Sequence, residues 1–142
     1  RRRTPPPTPV SSRRFRRVRA IAAVSGIYDA GVCVVMLWVR PLLAQLFDVA
    51  LPTPHIHPDL TVLFLLCIAA LYLIPYREPQ SSGGRTYLWP MGPLLKGAGA
   101  AAFVIDYLVR HSPRSFLLFA ASDGALALLT LAALLTSSRA DA

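Results

Sequence analysis

The chain has 142 residues, of which 54% are hydrophobic and 15% charged, and it carries a formal net charge of +8. Charged residues make up about a quarter of an average globular domain, so this balance excludes an ordinary water-soluble enzyme domain and leaves room for one compact apolar unit. The only two cysteines, Cys33 and Cys67, fall in separate apolar segments, where a thiol acts as a small buried group, which excludes a disulfide-stapled secreted scaffold.

Residues 1–17 read RRRTPPPTPVSSRRFRR. The clustered prolines predict an extended, polyproline-like arm rather than a helix. Arg1, Arg2, Arg3, Arg13, Arg14, Arg16 and Arg17 make this arm a candidate docking element, for a partner or for anionic lipid, where each arginine contributes about 1 kcal/mol near the surface. A nucleic-acid role is not expected, because a basic run beside a membrane anchor has a nearer anionic partner in the lipid.

Four apolar runs follow, at 18–39, 60–76, 88–109 and 115–136, each long enough to cross a hydrocarbon core of about 30 Å. The predicted fold class is all-α: an integral membrane four-helix bundle over 18–136, an extended basic arm at 1–17 and a short tail at 137–142. The first run is not read as a cleaved export signal, whose apolar core spans about 7–15 residues, because it is longer and contains Asp29. Pro41 is expected to kink a continuation of the first helix into RPLLAQLF.

The segment at 48–59, DVALPTPHIHPD, has three prolines and predicts a short turn. His55 and His57, with Asp48 or Asp59 nearby, form an i,i+2 pair without a full ligand set, so no metal is predicted. The second apolar run has no charge and is expected to face lipid or a partner. REPQSSGGRTYLWPMGP, at 77–93, predicts a longer flexible loop, and Trp38, Tyr76, Tyr87 and Trp89 are placed to form an interfacial aromatic belt.

Topology follows from the basic residues, since cytoplasmic flanks retain them during insertion. Twelve of the fifteen fall on the side of the amino terminus, and only Arg40, Arg110 and Arg114 on the other. Both termini are therefore expected in the cytoplasm, with the chain in a bacterial inner membrane.

The residues that could carry chemistry are the ionisable ones inside the runs, which normally face a bundle interior or water. Asp29 and Asp123 share a mid-membrane level, Lys96 starts about 9 Å in from the inner end of its helix with a side chain able to reach deeper, and all three lie beside small-residue stripes: Ala22, Gly26, Ala30 and Cys33; Gly92, Gly99 and Ala100; Ala120, Gly124 and Ala127. Such stripes let helices approach closely, so the three are predicted to form one buried polar cluster between the first, third and fourth helices. The cluster has three readings: an internal ion pair fixing helix register, a proton-relay or ligand site, or a charge set completed by a partner subunit. Asp106 and Arg110 are expected to pair as i,i+4 neighbours. Nothing predicts a catalytic residue: there is no phosphate loop, Ser/His/Asp set or Cys-x-x-Cys, and no histidine deep in a helix that could ligate haem.

SGIYDAG at 25–31, PHIHPDL at 54–60 and SDGALAL at 122–128 together resemble small bacterial four-helix membrane proteins of the DoxX-like kind, over about residues 18–136. The resemblance implies a respiratory-chain neighbourhood, as some of that group are associated with quinol oxidase complexes, and it carries over no catalytic residue. The expected function is thus a non-catalytic accessory subunit of a larger energy-converting membrane complex, respiratory or photosynthetic, with lipids and that complex as partners. The alternative is an autonomous small membrane enzyme or carrier that acts on a quinone or lipid-like molecule through Asp29, Lys96 and Asp123. No cofactor is predicted, although the bundle could hold a lipid, quinone or pigment.

Overall fold

The computed structural model describes residues 9–51 and 53–138, with side chains from residue 15 to residue 136 within those limits. Every regular element among the described residues is helical. α1 spans Pro9–Trp38, α2 Arg40–Phe47, α3 Ile56–Leu71, α4 Leu73–Arg77 and α5 Ser82–Trp89. A π-helical stretch, Pro90–Lys96, runs without a break into α6, Gly97–Arg110, and a single 3-10 turn, Arg114–Phe116, leads into α7, Leu117–Ser138. Four runs, Phe15–Trp38, Ile56–Arg77, Ser82–Arg110 and Arg114–Thr136, are long and apolar enough to cross a membrane.

Two expectations change, and two gain detail. The extended arm does not reach residue 17, because α1 begins at Pro9. Proline suits the first helical position, where its missing N–H has no partner to lose and its φ is already set, and VSSRRFRR after it contains no breaker. Arg1, Arg2 and Arg3, and the side chains of Arg13 and Arg14, lie outside the described residues, whereas Arg16 and Arg17 are exposed. Secondly, the kinked continuation into RPLLAQLF is present, and the bend falls at Val39, where φ −119° and ψ 27° turn the chain before α2 restarts with Pro41 in its first turn.

Thirdly, the loop expected at 77–93 shrinks to 78–81. Ser81 caps α5, its Oγ accepting a hydrogen bond from the Gly84 N–H at 2.9 Å, so the serine that looked like loop composition is a helix start signal. Lastly, the uncharged second run, whose outer face is apolar and exposed as expected, also packs closely on α1. A Cβ added at Gly26 on α1 would lie 3.1 Å from Tyr72 Cβ and 3.3 Å from the Ala69 carbonyl oxygen, so α1 and α3 meet nearly backbone to backbone. Cys33 Sγ adds a weak hydrogen bond to the Val62 carbonyl at 3.6 Å.

Packing closes a ring. α1 lies between α3/α4 on one side and α7 on the other, and α6 and the π stretch lie along α7. The ring is completed at the α5 end, where Tyr72 donates to the Met91 carbonyl at 3.3 Å and Tyr87 to the Ile68 carbonyl at 3.2 Å. Their rings meet edge to face at 5.7 Å above the core of Val18, Ala22, Leu88 and Leu134. Tyr87 therefore serves the interior rather than an aromatic belt, and Tyr76 packs on that core under the Arg19 guanidinium, 4.6 Å from the ring centroid. Trp38 and Trp89 do stay exposed.

No extended packing joins α3 to α6 at the other end, here termed the α2 end. The two separate, and α2 with residues 49–51 closes over the gap. The outward surface of the helices is apolar: Ile27, Phe64, Leu108 and Leu128 are each more than 60% exposed. The interior, by contrast, holds Ser25, Asp29, Lys96 and Thr130. This polarity is the reverse of a water-soluble bundle.

Candidate functional site

Lys96 closes the π stretch and stands at the midpoint of the Ser82–Arg110 run. Asp29 and Asp123 each lie nine residues from the α2-end limit of their runs, Trp38 and Arg114, or about 14 Å along a helix. The three side chains meet at this level. Lys96 Nζ donates to Asp29 Oδ1 at 2.7 Å and to Asp123 Oδ1 at 3.2 Å, and lies 4.9 Å from the centroid of the Tyr28 ring. An ammonium placed over an aromatic face gains further electrostatic stabilisation.

Small residues make this convergence possible. A Cβ at Gly99 would still be 3.7 Å from Asp123 Oδ2, and one at Gly124 would be 3.6 Å from Ala100 Cβ, so α6 and α7 pack closely enough for Lys96 and Asp123 to touch. The π stretch adds the third helix: its wider turns are a common device at functional positions, and Pro93 inside it supplies no N–H to the backbone ladder.

The cluster is uneven in its burial. Asp29 and Lys96 are 1% and 6% exposed, whereas the Asp123 side chain retains 19% of its accessible surface. Asp29 Oδ2 is buried with no hydrogen-bond partner among the described residues, and so is Ser25 Oγ one helical turn away. On the other flank, the Tyr28 hydroxyl and Ser122 Oγ share a hydrogen bond of 2.7 Å.

Beside the cluster lies a cavity of about 660 Å³, within the usual range for small-molecule sites. Asp29, Lys96, Asp123 and Tyr28 border its deep end, and its walls are apolar side chains from α1, α3, α6 and α7. Four phenylalanines gather toward the α2 end: Phe47 stacks on Phe119 at 5.3 Å, and Phe103 lies 5.6 Å from Phe119 and 6.0 Å from Phe116. Arg40 is the other charged residue on the cavity wall; its guanidinium bonds Asp59 at 2.6 Å and the Met36 carbonyl at 3.1 Å. Asp59, one of the carboxylates beside the histidine pair, is thus tied to Arg40.

Sequence reasoning missed most of this cavity. Tyr28 and Ser122 each precede a named aspartate, yet their neighbourhood gave no signal of its own. Phe47, Phe103, Phe116 and Phe119 sit on four separate elements, and only the fold brings them together. Asp106 stands apart from the site, bonded to Arg110 at 3.1 Å and to the Ser112 hydroxyl.

The chain matches no known family, no characterised protein and no solved structure, so the DoxX-like resemblance rests on its three short runs.

Proposed function

We propose that the four runs cross a bilayer with both chain termini on the cytoplasmic side, and that the protein binds an amphipathic lipid-like or quinone-like molecule within the membrane. The observation that carries this reading is the apolar cavity whose deep end is a buried ion cluster. Charges at mid-membrane are costly and normally serve a pathway or site. A purely structural ion pair needs no adjoining space, whereas a ligand with a polar head and an apolar body needs a polar end and an apolar wall. The accessory-subunit reading depends on the arginine-rich arm and its docking; the cavity supports the carrier or binding alternative.

Filling the cavity tests this proposal. Gly99 lines the cavity, and a Cβ there would stand 3.7 Å from Asp123 Oδ2, an ordinary contact, so Gly99→Leu takes up cavity space beside the cluster, with retention of the fold checked by the unfolding midpoint. Affinity for a short-chain benzoquinone or a lysolipid, measured by equilibrium dialysis in detergent, is expected to fall at least about tenfold, or 1.4 kcal/mol. Unchanged affinity for every amphiphile tested would place binding elsewhere.

The topology has its own test. In a background with Cys33 and Cys67 replaced by alanine, a cysteine at position 137 is expected to resist an impermeant thiol reagent in intact cells and to react once the membrane is opened. Labelling in intact cells would reverse the orientation.

A further inference from the structure

The charge balance of the cavity narrows its ligand class, given that the cavity is a binding site as proposed above. Its deep end holds two carboxyl groups and one ammonium, a formal charge of −1 when all three are ionised. Arg40 does not offset this deficit, because it is paired with Asp59 at 2.6 Å at the α2 end. The other titratable groups packed around the cluster are Tyr28 and Cys33 on α1, with Tyr72 and Tyr87 from the neighbouring runs. All are neutral in their ordinary forms, and both Tyr72 and Tyr87 donate to backbone carbonyls. No described side chain therefore supplies a second positive charge.

An uncompensated charge in so apolar a setting is expensive. Two things can cancel it: a proton shared by the carboxyl pair, or a cation brought by the ligand. The cluster has places for both. Asp29 Oδ2 is buried and accepts no hydrogen bond, which leaves it free to carry a proton in the empty state. Asp123 keeps part of its surface open on the cavity wall, where an incoming positive head would meet it. The lining suits the same ligand, since a wall of apolar side chains and phenylalanine rings favours a poorly hydrated organic cation over a strongly hydrated one.

We infer that the cavity takes a lipophilic organic cation, an aromatic or long-chain ammonium or phosphonium, in exchange for one proton held by the Asp29–Lys96–Asp123 cluster. The exchange balances: the cation enters, one carboxyl proton leaves to solvent, and the site stays neutral before and after. Because one proton is released for each cation bound, affinity rises about tenfold for each pH unit while the empty cluster is protonated.

The experiment uses the full-length protein in detergent with tetraphenylphosphonium as the probe, compared with a neutral short-chain benzoquinone. Calorimetry in buffers of different ionisation enthalpy is expected to show release of close to one proton per bound cation, with affinity rising with pH. Asp123→Asn should abolish both proton release and the pH slope, and weaken cation binding at least tenfold. A benzoquinone that binds in the cavity independently of pH, while tetraphenylphosphonium does not bind or binds without proton release, would overturn the exchange and leave the lipid-like binding site standing. If Gly99→Leu alters the binding of no probe at all, both readings fall. Should Asp123→Asn not fold, the proton count and pH slope of the unaltered protein decide the matter alone.

Discussion

Lys96→Met is expected to destabilise the protein by about 3–5 kcal/mol, the usual cost of removing one partner from a buried ion pair. Among the described residues, Lys96 Nζ is the hydrogen-bond partner of Asp29 Oδ1, the other carboxyl oxygen has none, and Asp29 is 1% exposed. Methionine keeps most of the apolar body of lysine, so packing changes little and the loss measures a buried carboxyl group deprived of its ammonium. Combining Lys96→Met with Asp29→Asn removes that carboxyl group as well. The double variant should be more stable than Lys96→Met alone, with a coupling energy of at least about 1 kcal/mol. Asp123 remains in both backgrounds, but its partial exposure makes it easier to solvate. Equilibrium unfolding in mixed micelles checks this cycle; strictly additive losses would show that Lys96 and Asp29 are not energetically coupled despite their 2.7 Å contact.

Gly92→Ala is expected to cost about 3 kcal/mol, at the upper end for inserting one methyl into a packed interior. Its Cβ would fall 2.4 Å from Thr130 Cγ2 and 2.8 Å from Thr130 Cβ. Thr130 has nowhere to retreat: it is 1% exposed, and its hydroxyl donates to the Leu126 carbonyl at 2.7 Å. Relief must come from moving the π stretch away from α7, which also pulls Lys96 away from Asp123. Gly92→Ala should therefore lower ligand affinity together with stability. Adding Thr130→Gly removes the obstructing atoms and should restore most of the loss, less about 1 kcal/mol for a glycine inside a helix. A neutral Gly92→Ala, read from the unfolding midpoint, would mean that the two backbones are not held in this close contact.

The four apolar runs were legible because length and hydropathy act locally, and the shared level of Asp29 and Asp123 followed from residue counting, whereas Lys96 looked nearer its helix end because the third run starts at Ser82. The ends of the elements were less legible. Pro9 and Ser81 looked like loop composition, yet one starts α1 and the other caps α5, since capping depends on a single backbone geometry rather than on average composition. The buried face of the second run was not legible for a related reason. Having no charge says nothing of which face a helix buries, and it is Gly26 on the opposing helix that admits Tyr72 and Ala69. The cavity was not legible at all: empty space is a property of how α3 and α6 separate, and no periodicity in either strand of sequence encodes it.

The i→i+5 turns of Pro90–Lys96 set α5 and α6 out of phase. A continuous α-helix advances about 100° per residue, and the wider turns of this stretch advance each residue by less, so the face presented after Lys96 is rotated relative to the one that ends at Leu88. Leu88 can then sit 1% exposed in the core at one end while Lys96 points into the cluster at the other. The constraint is thus on pitch as much as on chemistry: winding these same seven residues as a uniform α-helix would turn the ammonium off its two carboxyl partners, with every core and site side chain left intact.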